Sequence, residues 1–224
     1  MNKYEIVKKI EEFAPLDKQE KWDSSGWIVD KNSINVNKVL FALTITDKIY
    51  EQALKNNCDM IISHHPLFSV PIKYKNIDMY CAHTNFDKAD GGTTDLLIQA
   101  LGYIAKPYND FVRIVELKEE TDVYDVKSRL MTISPKLRMI NNNDTKKIRT
   151  IGFCAGSGAE FINETPCDAF VTGDVKFHAA IEANKVVFDI GHFESERVAV
   201  SYLRTITGIS EKEGLIADEK SPFI

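Results

Sequence analysis

Two adjacent histidines, His64 and His65, stand at the end of the apolar run Met60-Ile61-Ile62-Ser63. Imidazole nitrogens are the commonest protein ligands for transition metals, and imidazole is the side chain best suited to proton transfer near neutral pH. The run has no helical spacing and reads as a short strand buried on both faces. Pro66 follows, removes a backbone donor and holds His65 extended, so no helix can begin there. Open α/β sheets bind ligands at the carboxyl ends of their strands. The pair therefore offers two nitrogens where a ligand would sit. The plain alternative is that both rings merely cap the strand and bond to backbone.

Two further strand ends carry related chemistry. Met79-Tyr80-Cys81-Ala82 leads into His83-Thr84-Asn85-Phe86-Asp87. Val186-Val187-Phe188-Asp189-Ile190 is broken by Gly191 just before His192, with Glu196 four residues beyond. If the last helix begins near residue 192, those two side chains share one face about a turn apart and can reach one point. Singly, His192 is more often a satisfied histidine and Glu196 a surface carboxylate. Together, imidazoles and two carboxylates from sequence-distant loops suit Zn, Fe, Mn or Co better than Mg or Ca, which prefer all-oxygen cages. The set His64, His65, Asp87, His192 and Glu196 is too large for one tetrahedral zinc. Two ions about 3.5–4 Å apart would use it naturally.

The elements that must position these groups alternate between strand and helix. Ile6, Val7, Ile10 and Phe13 recur at helical spacing, so a helix over about 3–13 is expected, ended by Pro15. Val39 to Thr44 reads as a strand and Asp47 to Asn56 as a helix capped near Thr46 or Asp47. Leu96 to Leu101 is a helix stopped by Gly102. Pro107-Tyr108-Asn109-Asp110 is the best candidate linker, and the alternation restarts beyond it. Strands are expected at 111–117, 137–140, 148–153 and 169–172, and helices at 123–130, 179–184 and about 193–207. The expected fold is α/β, with two lobes of mixed sheets and a metal site in the cleft at strand carboxyl ends. The lobes would be 1–107 and 108–224, with about 186–224 packing on the first and completing the site. Trp22-Asp23-Ser24-Ser25-Gly26-Trp27 reads as core packing around a polar turn at a domain edge, with the alternative that Asp23 reaches a site. After the strand at 148–153 comes Ala155-Gly156-Ser157-Gly158, either a tight turn or a weak backbone cradle for a phosphate.

Composition excludes several classes. The 224 residues are 44% hydrophobic and 27% charged, those of an ordinary globular protein, and the net charge of −5 argues against a general nucleic-acid binder. No run approaches a transmembrane helix, and Met1-Asn2-Lys3-Tyr4-Glu5 does not open a signal peptide. Cys58, Cys81, Cys154 and Cys167 lack CxxC spacing, so reduced thiols in a cytoplasmic protein are expected.

With Trp22-Asp23 and Gly26, Ile62-Ser63-His64-His65-Pro66-Leu67, His83-Thr84-Asn85-Phe86-Asp87, Gly156-Ser157-Gly158, Thr172-Gly173-Asp174-Val175-Lys176-Phe177-His178, and Gly191-His192 with Glu196, the chain resembles a known family. These are the dinuclear-metal-centre, hexameric proteins named after the NGG-interacting factor, often called GTP cyclohydrolase I type-two homologues. The motifs run in order from near residue 22 to near residue 196. The resemblance implies metal ligation by His64, His65, Asp87, His192 and Glu196, two divalent ions per chain, and Asp174 and His178 as groups beside the site that orient ligands or move protons. It further implies a toroidal homohexamer with its sites facing an inner cavity. Leu43-Thr44-Ile45-Thr46 departs from the aspartate-bearing strand end of many members, and the extra mid-chain domain of some members has no room here.

The function expected from this set is metal-dependent hydrolysis of a nucleotide or related small molecule. The family label makes GTP the nominal substrate, with hydroxide attacking the imidazole carbon of the purine and formate leaving. The alternative is a non-catalytic metal-binding scaffold or regulatory protein. A histidine phosphoesterase is disfavoured, because the pair is His-His-Pro rather than Asp-His-His.

Overall fold

A computed structural model describes residues 1–223. The chain divides into two compact units, Met1–Gly92 together with the segment from Ala199 onward, and Thr93–Val198. It therefore crosses between units twice, the second time inside a helix.

The first unit contains α1 (Lys3–Phe13), β1 (Gly26–Val29), β2 (Val39–Ala42), α2 (Asp47–Lys55), β3 (Met60–Ser63), β4 (Asp78–Cys81) and the single turn α3 (Thr84–Asp87). The second contains α4 (Thr93–Ala100), β5 (Ala105–Pro107), β6 (Arg113–Asp122), α5 (Val123–Leu130), β7 (Arg138–Ile140), β8 (Lys147–Phe153), β9 (Ala169–Thr172), α6 (Phe177–Glu182) and β10 (Val186–Asp189). Helix α7 (His192–Thr207) begins in the second unit and ends in the first, where β11 (Gly214–Ile216) follows. Among the described residues no helix is long and apolar enough to cross a membrane.

Each unit is built on one mixed sheet. The first has the order β1-β4-β3-β2-β11, with β4, β3, β2 and β11 parallel and β1 antiparallel on its edge. β2, β3 and β4 are buried along their whole length, as strands covered on both faces must be, which is why Met60-Ile61-Ile62 shows no alternation. The second sheet has the order β5-β6-β8-β9-β10-β7, with only β8, β9 and β10 parallel. Its core packs Leu97, Val115, Ile151, Phe153, Val171 and Phe188. Mixed α/β architecture with two mixed sheets is thus what the sequence predicts. The cap at Thr46 is also as read, Thr46 Oγ1 accepting from Ile49 N at 3.3 Å, and Asp122 caps α5 by accepting from Tyr124 N at 2.8 Å.

Strands β1, β5 and β11 are not expected from the sequence. Each is three or four residues long, too short for a periodic signal, and each exists through pairing with a neighbour. Of Pro107–Asp110, Pro107 ends β5 and the rest lies in the turn of the β5–β6 hairpin, held by Asn109 Oδ1, which accepts from Phe111 N and Val112 N at 2.9 and 2.7 Å. The units divide instead at 92/93 and 198/199.

One buried charge ties the first unit together. Lys3 lies three residues before Ile6, on the apolar face of α1, and is fully buried. Its Nζ donates to Lys31 O at 2.6 Å and Asp78 Oδ1 at 2.9 Å and pairs with Asp30 at 2.7 Å, while Lys31 N donates to the same Asp78 oxygen. Such a group is tolerated only when every donor is matched. Lys3→Ala should destabilise the protein by about 3–5 kcal/mol in denaturant unfolding, because Asp78 is left buried without its cation. The double variant Lys3→Met/Asp78→Leu should recover much of that loss.

Candidate metal centre

The first unit brings three of the five histidines together. His64, His65 and His83 each offer one ligand atom, all within 4.8 Å of one another. Their ring centroids are 5.1 Å apart for His64 and His65, 5.3 Å for His64 and His83, and 5.6 Å for His65 and His83. His64 and His65 leave the end of β3, and His83 follows the neighbouring parallel strand β4. The rings therefore meet at the carboxyl edge of the sheet. Asp87 belongs to the helical turn α3, its N–H bonded back to His83 O at 3.0 Å, and its Oδ1 lies 3.4 Å from His64 Nε2.

The Nδ1 atom of each ring is already committed. His64 Nδ1 lies 2.8 Å from Ala82 O, an acceptor only, so Nδ1 carries the proton and Nε2 is the lone-pair atom. His83 Nδ1 donates to Asp23 Oδ1 at 2.9 Å. The Thr44 hydroxyl and His65 Nδ1 share a 2.6 Å hydrogen bond, so a residue just beyond β2 contacts the histidine pair. Asp23 is the base of this arrangement. Its side chain is fully buried and accepts five hydrogen bonds, from His83 Nδ1, Ser24 N, Ser25 Oγ, Thr84 N and Thr84 Oγ1. Burial opposes its ionisation, but these donors outweigh burial and hold the carboxyl well below the usual carboxylate range.

The second unit carries the other group of candidate residues. His192 opens α7, and its Nε2 lies 2.9 Å from Glu196 Oε2, one turn along the helix. Its Nδ1 lies 2.7 Å from Asp174 Oδ2. Asp174 follows β9 in the left-handed region at φ 55°, a conformation unusual for any residue but glycine. Gly173 precedes it because a Cβ there would sit 2.6 Å from His192 N. The Gly156-Ser157-Gly158 turn packs against the same point. Gly156 has φ +71°, and a Cβ on it would collide with the Glu196 carboxylate. Gly156 N donates to Ser195 Oγ at 2.9 Å and Gly158 N to Thr172 Oγ1 at 2.8 Å. Two of its backbone donors thus serve the protein, and the tight-turn reading accounts for the motif.

Of the residues singled out from sequence, the structure brings His64, His65 and Asp87 together in one unit, and His192, Glu196 and Asp174 in the other. His178 lies exposed on α6 beside Phe177, and among the described residues it makes no hydrogen bond or ion pair. His83 is missing from the sequence-derived ligand set, although it stands at a strand end like His64. Asp23 is the other omission from that set, and its bond to His83 spans 60 residues of sequence.

The donor set fits a borderline divalent ion. Imidazole nitrogens flanked by carboxylates, with Nδ1 anchored and one ligand atom each of His64, His65 and His83 within 4.8 Å of one another, are what Zn, Fe, Mn or Co sites use. On this mixed α/β scaffold the histidine and carboxylate groups define a candidate metal-binding protein. The chain belongs to the Duf34/NIF3 (NGG1p interacting factor 3) family, which it matches over residues 1–214. It is 30% identical to a GTP cyclohydrolase 1 type 2 homolog of Campylobacter jejuni, covering 98% of this chain and 97% of that protein. A homologue of the same description from Clostridium acetobutylicum is also 30% identical, over 92% of this chain and 90% of its own length. The fold is that of a Bacillus cereus protein related to NIF3, with TM-score 0.84 at 19% identity and 100% and 99% of the two chains covered.

His192 supplies a test of this geometry. Burial disfavours its charged form, yet the hydrogen bond and charge of Glu196, and then Asp174, push its pKa up to about 9. A raised folded pKa means that the pairing stabilises fully below the ordinary value of about 6.5 and is lost as pH rises through about 9. In chelator-treated protein the His192 ring should titrate near 9 by NMR and move towards 6.5 in Glu196→Gln. A midpoint near 6.5 in the unaltered protein would contradict the two-carboxylate clamp.

Proposed function

We propose that the protein binds two divalent ions per chain through His64, His65, Asp87, His192 and Glu196, and that it is a metal-dependent hydrolase acting on a nucleotide or related small molecule. The observation that carries the reading is the shared arrangement of the imidazoles, each held at Nδ1 by a carbonyl, carboxylate or hydroxyl. Divalent ions in such a setting make water a nucleophile near neutral pH and neutralise charge on attacking and leaving oxygens. The chain's own residues supply orientation and proton control. Asp23 keeps His83 in one tautomer, and Asp174, half exposed, can take a proton from His192 Nδ1 or return it. His178 is the second proton-moving candidate, exposed enough to exchange with solvent. The relatives' description makes the purine ring of GTP the first substrate to try, with ring opening and formate release as the reaction.

The same reading takes the working protein to be a toroidal homohexamer in the cytoplasm. Among the described residues no disulfide joins the four cysteines, which suits a reducing compartment. A second reading, a metal-binding scaffold or regulatory protein without catalysis, is favoured by the interaction that gives the family its description.

Elemental analysis of protein purified without chelator tests the metal reading. About two ions per chain are expected, with a sharp fall in His64→Ala, and circular dichroism on the same samples checks that the variant is still folded. Near-zero metal in both proteins, even after reconstitution with zinc, iron or manganese, would make the histidines structural. Full metal content without formate release from GTP would retire the nominal substrate and leave the scaffold reading.

A further inference from the structure

We propose that Trp22 is the platform on which the flat base of a purine nucleoside stacks beside the histidine cluster. The proposal deepens the hydrolase reading and rests on it. Trp22 is 62% exposed, and its ring centroid lies 6.1 Å from that of His83 at an interplanar angle of 75°. The other indole, Trp27, packs edge-on against Tyr4 and Tyr80 with centroids 5.6 and 5.4 Å away, and Lys3 Nζ sits 5.2 Å from its ring. One tryptophan therefore does core work, while its neighbour in sequence presents most of its surface to water.

Single exposed apolar side chains are common and by themselves signify nothing. What distinguishes Trp22 is its place on a loop tied down on both sides and its position beside His83. Glu20 N donates to Thr84 Oγ1 at 2.9 Å, Lys88 pairs with the Glu20 carboxylate at 2.5 Å, and Asp23 N donates to Glu20 O at 3.0 Å. Ser25 N donates to Gln19 Oε1 at 3.0 Å, and the five bonds to Asp23 close the loop onto α3. The loop that fixes His83 thus also fixes the backbone on both sides of Trp22, and the indole stands edge-on to His83. Preorganised aromatic surface binds flat rings at low entropic cost. Base–aromatic stacking does not depend on a hydrogen-bonding edge, so a base-recognition motif need not be readable in the sequence.

Calorimetric titration with guanosine, and separately with tripolyphosphate, tests this on the metal-reconstituted protein. Guanosine binding should weaken roughly tenfold in Trp22→Ala and largely recover in Trp22→Phe, with tripolyphosphate binding unchanged. An exposed aromatic elsewhere, Tyr124 on α5, serves as control, and Tyr124→Ala should leave both titrations as they were. Equal guanosine affinity in wild type and Trp22→Ala, or no guanosine binding to wild type, overturns the proposal. So does loss of the native oligomeric state in Trp22→Ala by light scattering, which would assign the indole to a contact between copies. Zinc content measured on the same samples separates the two ideas. Base binding that depends on Trp22 in protein unable to hold zinc would defeat the metal reading and leave the stacking one standing.

Discussion

An imidazole can ligate only through the nitrogen that is not otherwise committed, so the partner of one ring nitrogen decides what the other can do. Four of the five histidines are governed by this constraint. Ala82 O holds His64, Asp23 holds His83, Thr44 bonds His65 and Asp174 holds His192, each at Nδ1. The partners are of three chemical kinds, so the common geometry comes from placement and not from one repeated motif. Strand ends supply that placement. His64 and His83 leave neighbouring parallel strands in register, and Thr44 lies just beyond the strand that pairs on the other side.

Holding rings this firmly has a cost in buried charge. Asp23 is removed from water entirely, and its carboxylate is sustained by five donors. Lys3 answers the same problem with the opposite sign, enclosed by Asp78, Asp30 and a carbonyl. Both networks belong to the first unit, and both close loops against strands. They favour one arrangement of those loops over the alternatives, because any other arrangement would leave a charge buried and unmatched.

The second unit reaches a comparable result through backbone approach. Gly156, Gly173 and Gly191 lie around the start of α7 where a Cβ would collide with Glu196, His192 or Glu194. Asp174 accepts a left-handed conformation in order to meet His192. Strain of this kind persists only where surrounding contacts over-determine it, and it gathers at functional sites. The Gly-Ser-Gly turn, whose sequence suggests a phosphate cradle, instead spends two of its backbone donors on Ser195 and Thr172 and makes room for the Glu196 carboxylate.

Much of this was legible in the residues. Unalternating apolar runs marked the buried parallel strands, the 6, 7, 10, 13 spacing marked α1, and the i to i+4 relation of His192 and Glu196 followed from helical geometry alone. Short edge strands were not legible, since β1 and β11 owe their existence to partners far along the chain and β5, three residues long, to its hairpin with β6. The unit boundaries escaped notice for a related reason: Pro107–Asp110 carries linker composition but serves as a hairpin turn, whereas 198/199 falls inside a helix that no composition shift interrupts. By itself the sequence determined that imidazoles and carboxylates stand at strand ends, because residue type and local period are local properties. Only the tertiary structure decided that His83 joins His64 and His65, and that Asp23 and Thr44 orient rings from 60 and 21 residues away, because hydrogen bonds across such separations depend on how strands pair.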